Sequence, residues 1–150
     1  MKTTTVNAVA TESSFMLLSQ ITNLWQADIS AELKEHHLTL TEFTILSSVY
    51  WLAQQKSEVT QVNVCTHSNT KAMNASIILR KLQALGFLKR KEHSIDTRAK
   101  TISLTPKGAD IIKNILIEVN LINNRFFSIS KNKEESFIKK LEDIRNINMD

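Results

Sequence analysis

Glycine and proline are nearly absent from this chain, at two and one in 150 residues. With so few breakers, helices can run long. A glycine-rich loop that wraps phosphates through its backbone is excluded. The single cysteine allows no internal disulfide and no cysteine-cluster zinc site. Long apolar runs are missing too: no stretch approaches the ~18 residues of a membrane span. The nearest, Ile111 to Val119, is interrupted by Lys113 and Glu118. The N-terminal stretch MKTTTVNAVATESS has a lysine but no apolar core, so no secretory signal is expected and the cytoplasm is the expected compartment. No Ser/His/Asp frame, metal motif or phosphate loop is present, which argues against an enzyme and against a cofactor.

What is present fits one domain of ordinary size over residues 1–150. Hydrophobic residues make up 42% and charged residues 23%, enough of the first to fill a core. The net charge of +4 is unevenly placed. Before Thr60, acids outnumber bases. From Lys71 to Lys113, only Glu92, Asp96 and Asp110 stand against ten Lys or Arg. Such segregation builds a local field suited to a polyanion.

Apolar periodicity sets the order of elements. Phe15, Leu18, Thr22, Trp25, Ile29 and Leu33 form a helical stripe over about 13–34, with Ser13 or Ser14 as cap. Thr41 and Glu42 suit the start of a second helix, with Phe43, Leu46, Tyr50 and Ala53 inward. A shorter third helix turns Val62 and Cys65 inward. His67 to Asn69 read as a turn, after which Thr70 caps a fourth helix over about 71–85. Ala75, Ile78, Leu79, Leu82 and Leu85 form its inner face, and Gly86 follows where a left-handed residue is needed.

Two short strands come next, with Ile102 and Leu104 alternating against Thr101 and Ser103. Pro106 opens a fifth helix to about Phe127. Its inner face is Ile111, Ile115, Val119, Ile122 and Phe126. A last helix over about 133–147 carries Phe137, Leu141 and Ile144 inside. The fold class is mostly α (α+β).

A short helix, a turn, a second helix and a basic hairpin make a winged helix-turn-helix. The major groove of B-DNA admits one helix, whose N-terminal side chains reach base edges. In the fourth helix, Thr70, Lys71, Met73, Asn74, Ser76 and Arg80 are the candidates for that task. Asn74 can pair bidentately with adenine, while Lys71 and Arg80 can neutralise phosphates. A bland amphipathic helix would look similar on its own.

The segment LRKLQALGFLKRKEHSIDTRAKTISLTPKG, residues 79–108, resembles the multiple antibiotic resistance regulator (MarR) family. It carries the recognition-helix end, glycine, first wing strand, Asp-x-Arg tip, second strand and Leu-Thr-x-x-Gly entry in the family's order. The match is strongest over about 59–112. The resemblance implies a winged part over about 37–105 and dimerisation helices over about 12–35 and 106–150. It implies that His93, Asp96, Arg98 and Lys100 form the DNA-binding wing, with Arg98 in or beside the minor groove and Asp96 holding its guanidinium. Ala99 departs from the more basic family tip.

It further implies a homodimer on a pseudo-palindromic double-stranded operator, acting as a repressor released by a small-molecule effector. Trp25, Trp51 and Phe126 read as core, with interface the alternative. Cys65 reads as a structural thiol, and a one-cysteine redox switch is one rival reading. A winged helix that binds proteins is the other. His36 and His37 beside Glu32 and Glu35 have no metal-ligand spacing.

Overall fold

The computed structural model describes residues 13–128 and 131–149. The N-terminal stretch read against a secretory signal therefore lies, up to residue 12, outside the described residues. Four helices, a hairpin and two helices follow one another. They are α1 (Ser14–Glu35), α2 (Leu40–Ala53), α3 (Gln61–Ser68), α4 (Ala72–Ala84), β1 (Leu88–Glu92), β2 (Lys100–Leu104), α5 (Pro106–Phe126) and α6 (Lys131–Ile147). None of these helices is long and apolar enough to cross a membrane.

The core lies where α1, α2, α4 and α5 converge. Ile29 and Leu33, Ile45, Leu46 and Val49, Leu79 and Leu82, and Ile112 and Ile115 are sealed from solvent there. Each such side chain contributes about 1.5–3 kcal/mol of burial. The strands pair antiparallel with Leu88 opposite Leu104, Arg90 opposite Ile102 and Glu92 opposite Lys100. Leu88 and Ile102 face the core. The Ile102 N–H donates to Val59 O at 2.7 Å, which ties the hairpin to the segment before α3.

Several local expectations shift. α2 starts at Thr39, not Thr41: Thr39 Oγ1 accepts from the Glu42 N–H, and Glu42 returns a bond to the Thr39 N–H at 3.0 Å. This reciprocal box satisfies two end donors at once. In α3 the inward residue is Val64, while Val62 is exposed, because a cap at Thr60 with Asn63 sets the phase of the helix. α3 runs through His67 and Ser68, and the turn falls on Asn69, whose φ is 49°.

Thr70 does not cap α4. Its N–H donates to Cys65 O and its hydroxyl to Ser68 O, so it closes the end of α3. In α5 the buried set is Ile112, Ile115 and Val119, with Ile111 and Ile122 half-buried. Leu85, Leu141 and Ile144 are exposed rather than inside. For α6 the reason is position: among the described residues no other element packs closely over its apolar face. Trp51 is likewise exposed, against the core reading, whereas Trp25 and Phe126 are half-buried.

The hairpin is mounted on α5 by a compact joint. Gly86 has φ 78°, the left-handed geometry that glycine adopts without steric cost. Thr105 donates through its hydroxyl to Gly86 O at 2.6 Å and through its N–H to Phe87 O at 3.0 Å. The same hydroxyl accepts from the Gly108 N–H. A Cβ at Gly108 would stand 2.0 Å from Phe87 O, so only glycine lets α5 approach the strand this closely.

Candidate nucleic-acid interface

Packing on one side presents α4 to solvent on the other. Ala75, Leu79 and Leu82 are fully buried against the core. The helical period then leaves Met73, Asn74, Ile77 and Arg80 exposed, with Ser76 half-buried. The Asn74 amide makes no hydrogen bond among the described residues, and Met73 and Ile77 are exposed on the same helix. Lys71 is the N-cap of α4 and gives no side-chain acceptor, unlike Ser13, Thr39, Thr60 and Thr105 at the heads of α1, α2, α3 and α5. The first amides of α4 stay open to an anion.

A polar tie fixes the far end of this helix. The buried Glu42 carboxylate takes a close hydrogen bond from Lys81 Nζ while holding the Thr39 N–H. Burial pushes the Glu42 pKa up, yet the bonds from Lys81 and Thr39 outweigh it and hold the group below its ordinary value. Lys81 is thereby committed to the protein.

The wing tip is ordered by hydrogen bonds. Glu58, from the loop before α3, accepts from the Ser94 N–H at 3.1 Å and the Ser94 hydroxyl at 2.6 Å. It also meets His93 Nε2 at 3.2 Å. His93 Nδ1 accepts the N–H groups of Ile95 and Asp96, each at 3.2 Å. An acceptor at Nδ1 means that the ring proton sits on Nε2, facing Glu58. The hydroxyl and backbone N–H of Ser94, with the nearby His93, hold the Glu58 carboxyl below its ordinary pKa.

Asp96 behaves differently from the expectation. Its Oδ1 accepts the Arg98 backbone N–H at 3.0 Å, and no Asp96–Arg98 side-chain ion pair forms among the described residues. The acid shapes the turn that carries Arg98 and leaves the guanidinium open. Lys100 pairs loosely with Glu92 at 3.6 Å on the surface. His93 is half-buried with both ring nitrogens engaged, so it serves the wing's shape.

Arg98 and Lys100 meet Thr60, Gln61 and Cys65 of the α3 region and Ala72 of α4 around a cleft of about 470 Å³. Cys65 is half-buried and lines this cleft while its other side packs on the core. The head of α4 and the wing thus border one cleft. Arg90, one of the basic residues of the hairpin expected to address phosphates, is instead on the inward side of its strand with Leu88. Its Nε and Nη2 are sealed from solvent with no acceptor among the described residues. Burial, and then the charge of Arg80, lower its pKa.

This architecture has named relatives. The winged-helix domain of the ArnR1-like family matches residues 30–123. The chain belongs to that family. Its sequence is 31% identical over 128 residues to the uncharacterized HTH-type transcriptional regulator YdcH of Bacillus subtilis, covering 85% of this chain and 86% of that one. Staphylococcus aureus MepR, solved in complex with DNA, superposes with a TM-score of 0.80 at 20% identity, covering 91% and 98% of the two chains. Bordetella bronchiseptica BpsR, whose DNA binding is regulated by 6-hydroxynicotinic acid, superposes at 0.78 and 16% identity, covering 89% and 94%. MarR-family regulators share this fold. This ArnR1-like protein is a transcriptional regulator with a winged-helix DNA-binding fold.

Proposed function

We propose that the protein binds a pseudo-palindromic double-stranded operator as a homodimer, represses transcription there, and is released by a small-molecule effector. The observation that supports DNA binding is the cleft where Arg98 and Lys100 of the wing meet the head of α4 at Ala72, with Asn74 and Arg80 exposed along that helix. α4 enters the major groove through its open N-terminal turn. Arg98 reaches the flanking minor groove or its phosphates, and Lys71 and Lys100 address the backbone.

Dimerisation follows from the outer helices. Leu17, Leu18, Ile21, Trp25, Leu141 and Ile144 line an apolar groove of about 380 Å³ between α1 and α6. Phe15, Leu24 and Ile147 add exposed apolar surface nearby. Faces this large on one protomer suit a second copy. The effector reading leans on the ligand-regulated BpsR fold and acts by population shift.

The test is selection of bound sequences from random DNA, followed by affinity measurements across a salt series. A two-fold symmetric site is expected. Arg98→Ala should weaken binding on the order of 10-fold and reduce the log–log salt slope by about 1. No symmetric site at low salt, or an unchanged affinity for Arg98→Ala, would sink the reading.

A further inference from the structure

We infer that Glu58 and His93 are positioning residues for Arg98, acting through a clasp between the loop before α3 and the wing tip. The inference rests on the DNA-binding reading of the wing. Hydrogen bonds make all of its links but one. Glu58 accepts twice from Ser94, and its carboxylate lies 3.2 Å from His93 Nε2. His93 holds the Ile95 and Asp96 amides through Nδ1. Asp96 holds the Arg98 amide through Oδ1 and the Ala99 amide through its carbonyl. The His93 N–H closes the loop by donating to Ala99 O at 3.1 Å. Five backbone amides of the tip, at residues 94, 95, 96, 98 and 99, therefore end on Glu58, the His93 imidazole or Asp96. The tip has no apolar anchor of its own, since Ile95 is 88% exposed.

A carboxylate near a DNA-binding face opposes a polyanion in the long-range field. Electrostatics alone therefore demands that Glu58→Gln tighten DNA binding. The clasp demands the reverse. An amide keeps one acceptor oxygen and puts an NH₂ against either the Ser94 or the His93 donor, which opens the tip and frees Arg98 to move. The two accounts differ in sign, so one measurement separates them.

The experiment uses the full-length chain and its selected operator duplex, comparing wild type, Glu58→Gln, Arg98→Ala and the double variant. Glu58→Gln should bind about fivefold or more weakly, the scale of one lost charge-assisted hydrogen bond. In the Arg98→Ala background the same change should cost little, because the residue it positions is gone. Equal or tighter binding by Glu58→Gln overturns the inference. So does an undiminished cost in the double variant.

Amide hydrogen exchange in the DNA-free protein supplies a second readout. Ile95, Asp96 and Arg98 should exchange faster in Glu58→Gln and in His93→Ala, and unchanged rates refute the clasp. If wild type binds no duplex, the DNA reading fails and exchange alone decides the clasp. Were Glu58→Gln to misfold, Ser94→Ala removes only the hydroxyl donor and takes its place in both assays.

Discussion

α4 and the wing tip border one cleft but are held by different physics. α4 is anchored by Ala75, Leu79 and Leu82, all fully buried, and by the Glu42–Lys81 tie. The tip, from His93 to Ala99, contributes no residue to the core and is shaped by hydrogen bonds from Glu58, His93 and Asp96. Apolar burial is strong and non-directional, so the helix position is part of the stability of the whole fold. Hydrogen bonds contribute only about 0.5–1.5 kcal/mol net, yet they are directional. The tip is therefore shaped locally, at little cost or benefit to global stability. Damage to the helix should unfold the protein, and damage to the tip should misplace a side chain.

Three substitutions probe that contrast. Leu79→Ala removes a fully buried side chain from α4. Urea denaturation should show a loss of about 2–5 kcal/mol, and a loss below about 1 kcal/mol would mean that the core does not anchor the helix.

Glu42→Gln should cost about 1–2 kcal/mol at neutral pH by weakening a cap and a charge-assisted bond together. The Glu42 pKa is lowered in the fold from an ordinary value of 4.5. Its contribution is thus complete above that value and disappears as pH falls through the lowered one. Melts across pH should show wild type and variant converging in acid; a gap that stays constant from neutral to strongly acid pH would contradict the ion-pair account. Ser94→Ala should change global stability by no more than about 0.5 kcal/mol, while the Ile95 amide exchanges faster. A loss comparable to that of Leu79→Ala would erase the distinction.

Sequence reading reached the features whose signals are local. Gly86 past α4 and Pro106 at the head of α5 stand where their backbone preferences place them, and the alternation of Ile102 and Leu104 marks β2. The four-helix, hairpin, two-helix order follows from such signals. Phase errors arose where two capping residues compete. Thr39 and Thr41 both precede Glu42, but only Thr39 stands three residues before it and can exchange bonds with it. The Val62 and Val64 pair was misread for the same reason, since the Thr60 cap decides which one faces in.

The exposed residues of α4 were legible as the complement of its apolar stripe. Glu58 was not, because it lies 36 residues from Ser94 and loop acids are common. Asp96 was recognised as a shaping residue but assigned to the wrong atom of Arg98. The turn geometry that recruits the backbone N–H appears only once the chain is folded. The outer stripes of α1 and α6 were visible too, as apolar residues in excess of what one winged-helix core needs, and many of them are exposed.

Both glycines and the only proline of the chain fall between residues 86 and 108. They bracket the wing rather than populate it. Gly86 and Gly108 admit no comfortable replacement, one for its dihedral angle and the other for its contact with Phe87. The positions between His93 and Ala99 are mostly open to solvent. Mounting and tuning are thus separated along the chain: the bracket tolerates almost nothing, whereas the tip can accept new side chains without the mount shifting. A protein built this way can change what its wing presents to a partner by surface substitutions alone, while the joint to α5 stays the same.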